Sequence, residues 1–144
     1  MTSPTLSRRS MFGLLLGTVA TAAFTVHSAP AEAKLAPGGD MMVIYVCADD
    51  CGPCRVFEAE DMPRWMASPL ARSVRFVRAH APKTSLAFQA KYWPSEARPY
   101  MSAFRAPIVP SFMFVAGGNV VAMGAGLNGW RQQTLPQVQS MVRA

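Results

Sequence analysis

The chain has 144 residues, of which 14 are lysine or arginine, 8 are aspartate or glutamate and 3 are cysteine. This length suits one ordinary domain and excludes a multidomain enzyme. A hydrophobic content of 51% with only 15% charged residues excludes a disordered chain, and three cysteines are too few for a disulfide-stapled miniprotein.

The first 33 residues have the layout of an export signal. Arg8 and Arg9 precede the apolar segment 11–24, and Ala31-Glu32-Ala33 has the small residues of a signal-peptidase site. The paired arginines resemble a twin-arginine signal. An ordinary secretory signal and an uncleaved anchor are the alternatives, although the apolar segment is shorter than the roughly 20 residues of a membrane span.

Three parts of the chain are therefore predicted. Residues 1–33 form a twin-arginine signal peptide that is removed, residues 34–40 form a flexible leader, and residues 41–144 form one domain. We expect this domain to lie in the periplasm without stable membrane insertion. Its basic residues are scattered and are not interleaved with aromatic residues, so we predict no nucleic-acid partner.

The first half of the domain alternates strand and helix patterns. Residues 41–47 are a continuous apolar run of strand length, which predicts a buried central strand. A helical stretch over 55–62 follows, and Pro63 is expected to kink or end it. Residues 74–79 predict a second strand, and residues 84–93 favour a further helix.

The second half of the domain contains a hairpin between two helical segments. Residues 98–105 predict a short helical piece, and residues 111–115 predict a strand. The turn Gly117-Gly118-Asn119 joins this strand to its partner over 120–123. The last segment, 130–142, has the apolar spacing of an amphipathic helix.

A pair of cysteines with C-x-x-C spacing lies between the first strand and the first helix. The free N–H groups and the dipole at a helix N-terminus stabilise a thiolate. Cys51 should therefore be the exposed nucleophile, and Cys54, one turn later, the buried thiol that resolves a mixed disulfide. Gly52 and Pro53 form a stiff turn that holds the two sulfur atoms within bridging distance.

Two motifs resemble the thioredoxin family. Cys51-Gly52-Pro53-Cys54 is similar to its active-site tetrapeptide, and Ile108-Val109-Pro110-Ser111-Phe112 is similar to the cis-proline loop before its third strand. The resemblance covers most of residues 41–144. It implies a thioredoxin-like α/β fold, with a central mixed β-sheet flanked by helices and the C-x-x-C pair at a helix N-terminus.

The resemblance also implies the substrate surface. Pro110 is expected to have a cis peptide bond and to lie against the cysteine pair, and the Val109 backbone is expected to bind an extended substrate strand. Gly52 and Pro53 would complete this surface. The implied activity is that of a periplasmic thiol–disulfide oxidoreductase, which reduces disulfides in protein substrates, takes electrons from a membrane donor, and uses neither cofactor nor metal.

Two features depart from the thioredoxin pattern. Asp50, preceded by Asp49, stands where thioredoxins have a tryptophan, and these carboxylates oppose the formation of a thiolate at Cys51. Tyr45 stands where thioredoxins bury an aspartate. No carboxylate is therefore expected at that position to take the proton of Cys54.

Two other hypotheses stay open. Cys47, Cys51 and the distant His80 resemble the copper ligands of Sco-type chaperones, which share the thioredoxin fold, and thiolates and imidazole suit copper. However, a cysteine within an apolar strand is more often a buried hydrophobic residue, and His80 is expected on the surface at a strand end. The other hypothesis is a non-catalytic interaction domain. The intact C-G-P-C sequence argues against both.

Overall fold

The structure, a computed structural model, describes residues 40–143. The predicted signal peptide 1–33 and the predicted leader 34–40, except for Asp40, lie outside the described residues. Four strands form one sheet in the order β2-β1-β3-β4, and their bounds are β1 Met41–Ala48, β2 Arg75–Ala81, β3 Ser111–Ala116 and β4 Asn119–Ala125. β1 is parallel to β2 and antiparallel to β3, so the sheet is mixed as predicted.

β1 is the central strand that the apolar run predicts. All eight of its residues are buried, because strands cover both of its edges and a layer of side chains covers each face of the sheet. Tyr45 and Cys47 face one layer, and Ile44 and Val46 face the other. This alternation separates the core into two clusters.

The helices are α1 Gly52–Ala67, α2 Leu70–Ser73, α3 Gly126–Asn128 and α4 Leu135–Arg143. Pro63 is expected either to kink or to end the first helix. α1 continues past this residue, so the predicted end at Pro63 is wrong. Beyond the proline, Trp65 is buried and packs against Phe76 and Trp130. This burial offsets the roughly 3 kcal/mol that a proline costs inside a helix. No helix within residues 40–143 is long and apolar enough to cross a membrane.

The C-terminal helix begins earlier than predicted and changes its pitch. A π-helical turn over Gly129–Thr134 joins α3 to α4, and the Leu135 N–H bonds to the carbonyl of Trp130, five residues back. Pro136, which has no N–H to donate, is the second residue after this wider turn. The predicted amphipathic helix is thus confirmed in position, with a different hydrogen-bonding pattern in its first half.

The predicted helix over 84–93 is wrong. This part of the chain forms 3₁₀ turns at Thr84–Leu86 and Ala90–Tyr92 instead. The Trp93 indole donates to the carbonyl of Ala87 at 2.8 Å, and both residues are buried against the sheet. The irregular backbone between the two 3₁₀ turns allows the Trp93 indole to reach the Ala87 carbonyl. The short helical piece predicted over 98–105 is present as a 3₁₀ helix at Arg98–Ala103, so one face of the sheet is covered by 3₁₀ turns and the other by α-helices.

Candidate functional site

The two cysteines of the C-x-x-C motif form a disulfide at the start of α1. Cys51 caps the helix, since its sulfur accepts a hydrogen bond from the Cys54 N–H at 3.1 Å. Pro53 lies in the first turn, where a residue needs no N–H donor. The tight turn that the sequence predicts at Gly52 and Pro53 therefore places both sulfur atoms at the helix N-terminus.

The expected exposure of Cys51 is not found in the disulfide form. Cys51 is 3% exposed and Cys54 is 1% exposed. The Cys51 sulfur is bonded to Cys54 and also accepts the Cys54 N–H, so both partners draw it into the first helical turn. Pro53 is exposed and Gly52 is half-buried, so these two are the residues of the motif that solvent reaches, and their part in a substrate surface stays a prediction.

The Val109–Pro110 loop and the cysteine pair lie at the same end of the two central strands, β1 and β3. β3 begins directly after Pro110, and its first residue, Ser111, pairs with Val46 near the end of antiparallel β1. The Val109–Pro110 peptide bond is cis, as expected from the resemblance. Pro110 is buried and Val109 is half-buried. The contact of Pro110 with the sulfur atoms and the binding of substrate by Val109 stay predictions.

The strand order, the mixed pairing and the disulfide at the start of α1 decide the architecture. The fold is thioredoxin-like. No protein-family model and no curated protein matches the chain. Among solved structures it is similar to the Malassezia sympodialis thioredoxin Mala s 13, with 18% identity over 72% of this chain and 80% of that chain and a TM-score of 0.47. It is also similar to Chlamydomonas reinhardtii thioredoxin f2, with 18% identity over 72% of this chain and 77% of that chain and a TM-score of 0.42.

A polar network of four side chains lies beside the cysteine pair. Its members, which we call the Tyr45 network, are Tyr45, Cys47, Glu58 and Arg78. The Tyr45 hydroxyl is 3.4 Å from the Cys54 carbonyl oxygen and 3.3 Å from Glu58 Oε1, and either can accept its proton. Arg78 donates to the Glu58 carboxylate and, through Nε, to the Cys47 sulfur at 3.1 Å.

Two members of the network, Glu58 and Arg78, are not among the residues that the sequence motifs indicate. Tyr45 occupies the strand position where no carboxylate is expected, and Glu58 of α1 places a carboxylate 3.3 Å from its hydroxyl. The spacing of Cys54 and Glu58 is a sequence pattern that indicates Glu58, because residues four apart on a helix share a face. Arg78 could be found only from the strand pairing, which places it directly opposite Tyr45.

The two carboxylates before Cys51 have partners of their own. Asp49 Oδ1 is 2.7 Å from His80 Nε2, and Asp50 Oδ1 accepts the Thr84 N–H at 2.7 Å. Arg55 donates to the main-chain carbonyl of Asp49 at 3.1 Å and not to either carboxylate. These contacts fix the loop before Cys51 to the end of β2 and to the segment that follows it.

The residues of the copper hypothesis do not form one group. Within residues 40–143, no set of three or more His, Cys, Asp or Glu side chains is arranged to hold a metal ion. Cys47 is fully buried, as predicted, with its sulfur accepting from Arg78. His80 is exposed at the end of β2, also as predicted, and pairs with Asp49.

Burial of Tyr45 and Cys47 gives a testable pH dependence of stability. Burial raises the pKa of Tyr45 above its ordinary value of 10.0, and Cys47 and Glu58 raise it further. Burial also raises the pKa of Cys47 above 9.0, although Arg78 opposes the shift. The folded protein therefore keeps these protons at a pH where the unfolded chain has lost them, and stability falls as the pH rises.

We expect the free energy of unfolding to fall above pH 10, by up to about 1.4 kcal/mol per pH unit for Tyr45. Urea unfolding at a series of alkaline pH values measures this slope. Tyr45→Phe removes the ionisable group and keeps the ring, so its slope should be shallower than that of the wild type. Equal slopes in the two proteins would contradict the assignment.

Proposed function

We propose that the chain is a thiol–disulfide oxidoreductase that reduces disulfides in protein substrates. The observation that carries this proposal is the Cys51–Cys54 disulfide at the N-terminus of α1. It lies at the end of β1 and β3 where the Val109–Pro110 loop also lies. The helix N-terminus favours the thiolate that such exchange requires. The thioredoxin-like fold agrees with this chemistry but does not define it, because one fold hosts many functions.

The reaction proceeds in two exchanges. The reduced Cys51 thiolate attacks one sulfur of a substrate disulfide, forming a Cys51–substrate bond and releasing the other substrate sulfur as a thiolate. Cys54, deprotonated, then attacks the Cys51 sulfur, which releases the second substrate thiolate and restores the Cys51–Cys54 disulfide. Two electrons pass to the substrate, and an external dithiol donor must return them. In the periplasm this donor would be a membrane protein.

The substrate would approach across the outer surface of the disulfide. Gly52 and Pro53 would form that surface, and Val109 at the neighbouring loop is half-buried, with its backbone ahead of β3. An extended segment of the substrate would pair with the backbone of Val109, beside Pro110. This arrangement holds the scissile disulfide next to Cys51, so specificity comes from the segment that flanks the substrate cysteine.

Glu58 is our candidate for the proton acceptor of Cys54. Its Oε1 contacts the Tyr45 hydroxyl, which also contacts the Cys54 carbonyl oxygen, so the carboxylate lies one hydroxyl away from the main chain of the second cysteine. Arg78 forms a direct ion pair with Glu58. Tyr45 itself is a poor base or acid near neutral pH, because burial raises its pKa.

Reduction of insulin with dithiothreitol as the electron donor tests the activity. The wild-type protein should accelerate precipitation of the insulin chains, and Cys51→Ser should abolish the acceleration. Glu58→Gln should slow turnover by about tenfold or more, and its rate should recover as the pH rises. Cys47→Ala is the matched control, since Cys47 takes no part in the exchange. Full activity of Cys51→Ser would refute the proposal.

We further propose export to the periplasm by the twin-arginine route. Arg8, Arg9 and the Ala31-Glu32-Ala33 site support this proposal. Replacing both arginines by lysine keeps the positive charge, so it should block twin-arginine export and leave an ordinary secretory route working. Fractionation of expressing bacteria measures the outcome. Undiminished periplasmic protein from the double variant would contradict the twin-arginine route.

A further inference from the structure

A groove of about 160 Å³ lies directly beside the Val109–Pro110 loop. Two of its lining residues, Ile108 and Ser111, flank that loop in the sequence. The N–H of Gly126, which follows β4, donates to the Pro110 carbonyl at 2.7 Å and so holds the end of β4 against the loop. The cysteine pair lies at this same end of β1 and β3. The groove therefore adjoins the surface over which a substrate segment would pass.

The size and the walls of the groove suit one side chain of a protein substrate. Pockets for free small molecules have volumes of roughly 300–1,000 Å³, and this groove is smaller. Phe104 and Met123 of its lining are half-buried, and Ile108 is 49% exposed. An apolar side chain in the groove would remove this exposed apolar surface from water, which favours binding.

The main chain beside the groove can hold an extended segment in front of it. Within residues 40–143, neither the N–H nor the carbonyl of Val109 has a hydrogen-bond partner. The carbonyl of Ile108 is already used, because it accepts from the Ser111 hydroxyl at 2.6 Å. Val109 is therefore the residue at which a substrate strand would pair with the loop. Because side chains alternate along such a strand, one near the substrate cysteine would point to the groove.

The charge of the lining favours an acidic neighbour for that side chain. Arg105 is exposed, and it is the one charged residue among the described residues that line the groove. None of the four ion pairs within residues 40–143 includes Arg105. Gln133 of the π-helical turn adds an exposed amide to the same lining. A carboxylate of the substrate would thus meet a guanidinium group that has no carboxylate partner in this part of the chain.

We propose that this groove selects protein substrates with an apolar residue and an acidic residue within two positions of the reactive cysteine. The apolar side chain would pack against Ile108 and Met123, and the carboxylate would accept hydrogen bonds from Arg105. This inference rests on the proposed function, because it places the substrate segment on the Val109 backbone. It adds the class of substrate and identifies Arg105 as a specificity-determining residue.

Binding of unreactive peptides to the oxidised full chain tests the groove without the redox reaction. The probe is Glu-Leu-Ser-Leu-Glu with blocked ends, in which serine replaces the reactive cysteine. The chain has two isoleucines, so methyl labelling gives one NMR signal for Ile108 and one for the fully buried Ile44. The Ile108 signal should shift in a saturable way, with a dissociation constant below about 5 mM, and the Ile44 signal should stay in place.

Two further peptides and two arginine variants separate charge from apolar contact. Gln-Leu-Ser-Leu-Gln should bind at least about threefold more weakly than the probe, because it has no carboxylate. Glu-Ala-Ser-Ala-Glu should bind at least about fivefold more weakly, because it loses apolar contact. Arg105→Gln should remove the difference between the glutamate and glutamine peptides. Arg72→Gln, an exposed arginine outside the lining, should keep it.

Three results would each overturn the proposal: no saturable shift of the Ile108 signal at about 20 mM probe, equal affinity for the glutamate and glutamine peptides, or a difference between them that survives Arg105→Gln. Insulin reduction separates this inference from the proposed function. Peptide binding without insulin reduction would leave the groove and refute the oxidoreductase, and insulin reduction without peptide binding would do the reverse.

Discussion

Replacing Cys54 by serine is expected to trap the protein on its substrate as a mixed disulfide through Cys51. The second exchange needs the Cys54 sulfur, and a serine oxygen cannot replace it as the attacking group. The Cys54 side chain is 1% exposed and sits directly behind Cys51, so no solvent thiol takes its place easily. Turnover should fall at least about a hundredfold while the covalent adduct accumulates.

Non-reducing electrophoresis and mass spectrometry of the adduct check this result. Cys51→Ser is the matched variant and should form no adduct, because it lacks the attacking thiolate. The double variant Cys47→Ala, Cys54→Ser should form as much adduct as Cys54→Ser alone, since Cys47 is buried and its sulfur accepts a hydrogen bond from Arg78. An adduct that is attached through Cys47, or one that forms equally in Cys51→Ser, would contradict the assigned order of attack.

Replacing Gly129 by alanine is expected to destabilise the protein by about 3 kcal/mol or more. A Cβ atom on Gly129 would lie 2.5 Å from the carbonyl carbon of Gly124, closer than any real Cβ contact. The Cβ position is fixed by the backbone of residue 129 and the Gly124 carbon belongs to the main chain, so neither atom can rotate away. β4 and the π-helical turn would have to move apart, and the packing of Trp130 would move with them.

Urea unfolding measures the effect, and Gly52→Ala is the matched control. A Cβ on Gly52 meets only the end of the flexible Arg55 side chain, at 3.9 Å, so its stability should change by less than about 1 kcal/mol. Alanine is otherwise the better helix former by about 1 kcal/mol. A Gly129→Ala variant as stable as the wild type would show that the two backbones do not approach as described.

The elements that the sequence predicts well are those set by local patterns. β1 follows from an unbroken apolar run, because a central strand is buried on both faces. The hairpin follows from Gly117 and Gly118, which have φ values of 56° and 77° that favour glycine. The disulfide and its helix position follow from the C-x-x-C spacing before a helical stretch.

The elements that the sequence predicts poorly depend on contacts between distant segments. The segment 84–93 has helical composition, but burial of Trp93 and its bond to Ala87 favour 3₁₀ turns. α1 continues past Pro63 because Trp65 packs against β2 and the π-helical turn. The free energies of these packing contacts outweigh the local helix propensity of the two segments. A short stretch of sequence does not reveal such contacts, because their partners are distant in the chain.

The candidate site shows the same division. Cys51 and Cys54 are evident from one motif, whereas the Tyr45 network needs the pairing of β1 with β2 before Arg78 comes beside Tyr45. Glu58 is an ordinary surface residue in the sequence and becomes part of the site only through Tyr45 and Arg78. Tyr45 on the strand, with Glu58 of α1 beside it, stands where thioredoxins bury a single aspartate.

The reduction potential of the Cys51–Cys54 couple tests the central claim most directly. The purified protein is equilibrated in dithiothreitol and glutathione buffers, its thiols are trapped, and mass spectrometry gives the fraction oxidised. We expect a reversible two-electron couple at or below about −250 mV, typical of a Gly-Pro pair, that disappears in Cys51→Ser. A value near about −150 mV would contradict the reducing direction, and the absence of any reversible couple would contradict the oxidoreductase function itself.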